Sequence, residues 1–180
     1  MLQITIPAVE QWDEEKMEFV SSKETTLKLE HSLVSLSKWE SKWQKPFYTK
    51  EERTMEEIID YVRCMTINQN VSENVYRNLT RDNINEISAY IENPMTATTF
   101  SKDKGGKKND EQITAEIIYY WMFSLQIPME CQKWHLNRLI TQIRVCSIKN
   151  APPKKMSKRD IMSRNAALNA ARRQQMNTTG

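Results

Sequence analysis

The spacing of apolar residues changes once in this chain, near residue 31, and that change constrains the fold more than any other feature. Before it, Leu2, Ile4 and Ile6 alternate with Gln3 and Thr5, and the period of two returns at Met17 and Phe19 and again at Leu27 and Leu29. Side chains alternate between the two faces of a strand, so a period of two reads as β structure. Polar breaks at 11–15 and 21–24 separate the runs. Two or three strands in a small antiparallel sheet are expected over 1–31. Its apolar face must pack on something, because a small sheet alone is marginal in water. Beyond residue 31 the period lengthens to that of a helix: Leu33, Leu36, Trp39 and Trp43 fall on one side until Pro46 stops the run.

The helical pattern then persists. Thr54 with Glu57 forms a capping box ahead of Met55, Ile58, Ile59, Val62 and Met65. Ser72 is expected to cap a turn or two through Val75, Tyr76 and Leu79. Thr80 or Asp82 opens a helix through Ile84, Ile87, Tyr90 and Ile91 that Asn93-Pro94 closes. Residues 101–111 are polar and charged and hold Gly105 and Gly106, two of the three glycines, so a flexible loop is expected there. Ile113, Ile117, Ile118, Tyr120, Trp121 and Leu125 wrap most of the next helix, which predicts burial on several sides. Pro128 suits a first helical position, and a long helix is expected through Cys131, Trp134, Leu136, Leu139, Ile143, Val145 and Cys146. With its partner it makes a helical hairpin over 113–148. Ala151-Pro152-Pro153 ends it. Ser157 with Asp160 caps a last helix whose apolar stripe, Ile161, Met162 and Leu168, is thin.

The expectation is a mainly α protein: a helical domain (32–150) carrying a small N-terminal antiparallel β element (1–31) and a basic C-terminal tail, helical in part (151–180). Charge divides along the same line. From residue 150 to 180 there are seven basic residues against Asp160 alone, about +6, which leaves about −3 for the rest of a chain whose net charge is +3. No run approaches the roughly 20 apolar residues of a membrane helix. The first ten residues lack a secretory signal's basic start and apolar core. Cys64, Cys131 and Cys146 are odd in number, widely spaced and set in apolar contexts, as reduced buried thiols are. A cytoplasmic protein without membrane contact is expected.

Little in the sequence suggests catalysis. With three glycines the chain has no phosphate-cradling loop and no dinucleotide fingerprint, and it lacks the serine elbow and the zinc-protease helix motif. Cys131 and His135 lie four apart and could reach a metal from one helix face, with Cys146 as a third ligand, but a fourth is missing. Neither Cys131 nor Cys64 has the third orienting group that a cysteine nucleophile uses with a histidine. The acids Glu14-Glu15, Glu51-Glu52 and Glu56-Glu57 read as solvated helix faces. No enzyme activity, metal or cofactor is expected. The features that point outward are Trp39 and Trp43, four apart on one helix, which are either core or an aromatic anchor for a partner. The basic tail, with Lys154-Lys155, Lys158, Arg159, Arg164, Arg172 and Arg173, suits an acidic partner or phosphates, although no aromatic residue accompanies it for stacking on bases.

Three stretches stand out: Leu36-Ser-Lys-Trp39-Glu-Ser-Lys-Trp43-Gln-Lys-Pro46-Phe, Ile113-Thr-Ala-Glu-Ile-Ile-Tyr-Tyr-Trp121-Met, and Trp134-His-Leu-Asn-Arg-Leu-Ile continuing to Met156-Ser-Lys-Arg-Asp-Ile-Met-Ser-Arg-Asn165. All three resemble the tail assembly chaperones of long-tailed, siphovirus-type bacteriophages. The resemblance implies a protein that coats the tape measure protein, keeps it soluble and helps recruit tail tube protein in the bacterial host cytoplasm, without joining the finished particle. It implies self-association along a filamentous client. It also implies the shorter, non-frameshifted form of a pair, since the chain ends just after a polar helix. Trp39, Trp43 and the ten methionines would supply adaptable contacts to a helical client. Two other readings stay open: a nucleic-acid-binding phage or regulatory protein acting through the basic tail, and a structural head–tail joining component.

Overall fold

Leu2–Ile6 (β1) pairs antiparallel with Thr25–Leu29 (β4), Ile4 opposite Leu27 and Leu2 opposite Leu29, in a computed structural model that describes residues 1–13, 17–49, 51–100, 112–152 and 157–177. The period of two does what it predicts. Ile4, Ile6, Leu27 and Leu29 are buried, while Thr5, Thr26 and Lys28 between them are exposed. A second ladder joins Val9–Asp13 (β2) to Glu18–Ser22 (β3). Residues 11–13 were expected to be a polar break, yet they belong to a strand, because a ladder is held by backbone hydrogen bonds that need no apolar side chain. Among the described residues the sheets are therefore two two-stranded ladders, one nested inside the other along the chain. The open edge of β4 is covered by the chain leaving the second helix. Ile67 N–H donates to Lys28 O at 2.9 Å, and Glu30 N–H donates to Met65 O at 2.9 Å. Such cover protects an edge from pairing with another molecule.

Seven α-helices follow among the described residues. Helix α1 (Leu33–Trp43) begins at a capping box made by Ser32 and Ser35, and ends with Gln44 in the left-handed region (φ 52°), a conformation usually left to glycine. Helix α2 (Met55–Met65) starts at the predicted Thr54–Glu57 box. The short α3 (Glu73–Arg77) follows Ser72, and α4 (Arg81–Glu92) runs from Thr80 to Asn93, just before Pro94. Helix α5 (Ala115–Ser124) gets no cap from Thr114. Its N-terminus is met instead by Glu40, a buried carboxylate on α1. Oε2 accepts from Ala115 N–H at 2.7 Å, and Oε1 accepts from Phe47 N–H at 2.8 Å. A buried negative charge is tolerable there because the orphan N–H groups and the helix dipole both favour an anion.

The long helix predicted after Pro128 is interrupted. A 3-10 helix (Met129–Lys133) stops at Trp134, which is extended, and α6 starts afresh (Leu136–Asn150). The interruption has a cause in packing. Ser32 and His135 form an antiparallel bridge, and Leu136 N–H donates to His31 O at 2.7 Å, so the chain leaves the helix to join the β4–α1 junction. Residues Met1–Ile148 form one compact unit and Lys149–Gly180 a second. The core of the first brings together Ile4, Leu29, Leu36, Trp39, Met65, Ile118, Met122, Leu136 and Leu139. The second contains α7 (Lys158–Met176), whose Ser157 accepts from Asp160 N–H and none of whose residues is buried. The expected flexible loop at 101–111 lies outside the described residues. Among those described, no helix is long and apolar enough to cross a membrane.

Candidate protein-binding surface

The two tryptophans on α1 are held by α2. Trp39 is 1% exposed, its indole N–H donates to Glu57 O at 3.0 Å, and its ring meets Phe47 and Tyr61 edge-on at 5.2 and 6.4 Å. Trp43 is half-buried and donates to Asp60 Oδ2 at 2.9 Å. Lys42 pairs with Asp60 and Lys45 with Glu57, and the Lys45 ammonium lies 6.0 Å and 5.7 Å from the two indole rings. The lysine and the cap hold the Glu57 carboxyl below its ordinary range. This corrects the expectation of an aromatic anchor at Trp39: in this fold the ring is core and its polar edge is already used. Trp43 shows a partner at most part of a ring.

His31 and His135, the only histidines in the chain, lie side by side inside the core with ring centroids 5.1 Å apart. His135 Nδ1 accepts from Asn137 N–H at 3.3 Å, which leaves the proton on Nε2, 3.0 Å from Tyr90 O. Tyr90 OH in turn donates to Glu30 at 2.7 Å. His31 Nδ1 meets Tyr61 OH at 2.6 Å, and its buried Nε2 has no hydrogen-bond partner among the described residues. Burial pushes the His31 pKa down to about 3, helped by His135 and Arg53; burial also lowers that of His135, against the pull of Tyr90 O and Glu30. Both ring nitrogens of His135 are thus committed to the fold. Cys131 is buried and its thiol pKa is raised. Among the described residues no three His, Cys, Asp or Glu side chains are grouped to hold a metal.

The outward chemistry lies elsewhere, on α5. One side of this helix buries Ala115, Ile118 and Met122. On the other, Tyr120 and Phe123 are 67% and 64% exposed, one turn apart. Neither ring stacks on another among the described residues. The sequence reading missed this face by predicting burial on several sides. The signal was present in Glu116 and Ser124, which flank Tyr120 at four residues on either side and mark the wet side of an otherwise apolar helix. A concavity of about 190 Å³ opens between α2 and α4 and is lined by Ile58, Val62, Ile84, Ile87 and Ile91, with Arg53 and Glu92 among its walls. It has room for one bulky side chain or several waters.

The predicted tail residues Lys158, Arg159, Arg164, Arg172 and Arg173 all lie on α7 and are exposed. Helical spacing puts Ile161, Arg164, Leu168 and Arg172 on one face, so two apolar side chains are interleaved with two guanidinium groups. The chain matches no family model, no curated protein and no solved structure.

Proposed function

We propose that this chain is an assembly chaperone of a long-tailed bacteriophage, which binds the tape measure protein and assists assembly of the tail tube around it. It works by binding and has no turnover of its own. The observation that carries the reading is the pair Tyr120 and Phe123, two large aromatic side chains two-thirds exposed on one helix face. Aromatic residues are the commonest energetic anchors of protein interfaces. Covering both would remove roughly 250 Å² of mostly apolar surface, worth about 5 kcal/mol before the costs of association. A face of this kind fits the apolar stripe of an amphipathic helix, the form in which a long tape measure would present itself. The helix that bears it is also one of the stretches that resemble the phage chaperones.

The test is co-expression with the tape measure protein of the same phage, followed by size-exclusion chromatography of the soluble fraction. Solubilised tape measure protein that co-elutes with this chain is the expected result. Insoluble tape measure protein, with this chain eluting alone, overturns the proposal.

A further inference from the structure

The charge of the chain is split between its two compact units. Lys149–Gly180 holds eight basic residues and one acid, a formal +7; the whole chain is +3, which leaves Met1–Ile148 at −4. The +7 unit presents a 19-residue helix, α7, with no buried residue. Within their own unit Lys158, Arg159, Arg172 and Arg173 have no acidic partner among the described residues. A solvated helix with a thin apolar stripe has little to hold it except docking. The apolar pair Ile161 and Leu168, flanked by arginines, suits a protein surface better than a phosphate backbone, which offers nothing apolar to cover.

We propose that α7 docks on the acidic body of a second copy of the same chain, and that two copies exchange their basic helices reciprocally. The acceptor is the surface centred on the outer face of α4, which at about 18 Å is shorter than the arm, so neighbouring surface of the body is covered with it. Among the described helices of Met1–Ile148 only α4 exposes two acids one turn apart with no basic partner in that unit, Asp82 and Glu86. Size decides between an exchanged pair and an open chain of copies. A 19-residue helix is about 28 Å long and about 11 Å across, so one face covers roughly 300 Å². One docked arm, counted on both partners, buries roughly 600 Å², short of the about 1,000 Å² that a specific interface clears. Two reciprocal arms reach roughly 1,200 Å², and the second arm binds without a second loss of translational freedom. A closed two-fold dimer therefore gains what a head-to-tail chain does not. This inference does not rest on the chaperone reading, since it needs no client.

The test is a charge swap in the full chain, read by light scattering on a sizing column, with circular dichroism to show that each variant is folded. One variant carries Arg172→Glu and Arg173→Glu; the other carries Asp82→Lys and Glu86→Lys. The wild-type chain is expected at twice the monomer mass in about 0.1 M salt and at the monomer mass in about 1 M salt, where the screening length shrinks from about 10 Å to about 3 Å. Each variant alone is expected to be monomeric. Their mixture restores the double mass, because each reversed arm then meets a reversed body. A wild-type monomer in low salt overturns the proposal. So does a dimer that survives high salt and both substitutions, or a mixture that stays monomeric. Co-elution of the wild-type chain with nucleic acid, lost on Arg172→Glu/Arg173→Glu, would assign α7 to a phosphate backbone and overturn it as well.

Discussion

Two aromatic pairs sit one helical turn apart in this protein, and the fold treats them in opposite ways. Trp39 and Trp43 on α1 face α2, which offers a backbone carbonyl and two lysine-bound carboxylates within reach, so both indole N–H groups are satisfied and the rings become core or near-core. Tyr120 and Phe123 on α5 face solvent, on the side away from Ile118 and Met122. The difference teaches that aromatic content and spacing do not mark an interface. What matters is whether a neighbouring element supplies partners for the polar edge and cover for the ring.

The largest expected effect comes from breaking the buried side of this comparison. Trp39→Ala removes a fully buried ring together with the indole N–H that donates to Glu57 O, so unfolding in urea should show a loss of about 3–5 kcal/mol. Trp43→Ala, half-buried and on the rim, should cost about 1–2 kcal/mol by the same measurement. Equal losses for the two would mean that α2 does not distinguish them as the geometry says.

How far the sequence carried is visible in the same residues. The capping box of α2, the serine cap of α7, the stop at Asn93-Pro94 and the alternation of Ile4, Ile6, Leu27 and Leu29 were legible because each is a local signal that needs no tertiary partner. The break at Trp134–His135 was not. It arises from a bridge to Ser32, more than a hundred residues away, and local propensity carries no trace of such a contact. The wet face of α5 was half legible, since Glu116 and Ser124 give the phase of the helix but an apolar run of this density hides it. The choice between core and surface for Trp39 could not be read at all, because it depends on α2 lying alongside.

Acid sharpens the picture of the buried side. In the unfolded chain each imidazole takes a proton near pH 6.5. In the folded chain His31 stays neutral down to about pH 3, and His135 is depressed as well. The unfolded state therefore binds more protons within that window, so stability is complete above about pH 6.5 and falls as the pH drops, by up to about 1.4 kcal/mol per pH unit for each histidine. The groups facing the pair are Tyr61, Arg53, Glu30, Tyr90 and the Met1 amine, none of which reverses that sign. Urea midpoints between about pH 7 and about pH 4.5 should show the decline, and His31→Phe should flatten its slope by one proton. An unchanged slope in His31→Phe would place the acid sensitivity in His135 and the carboxylates instead.

The smallest effect on stability should come from the exposed pair, and there the comparison is most easily broken. Tyr120→Ala with Phe123→Ala deletes two rings that the fold does not cover, and α5 keeps Ala115, Ile118 and Met122 in the core. Alanine is the better helix former, so the urea midpoint should move by no more than about 0.5 kcal/mol in either direction. Capture of the tape measure protein in the co-expression assay should nevertheless fail, because the lost area sits where a client helix would lie. A client still held by this double variant, at unchanged stability, would remove α5 from the interface. The cleft lined by Ile58, Ile84 and Ile91 would then be the next surface to substitute.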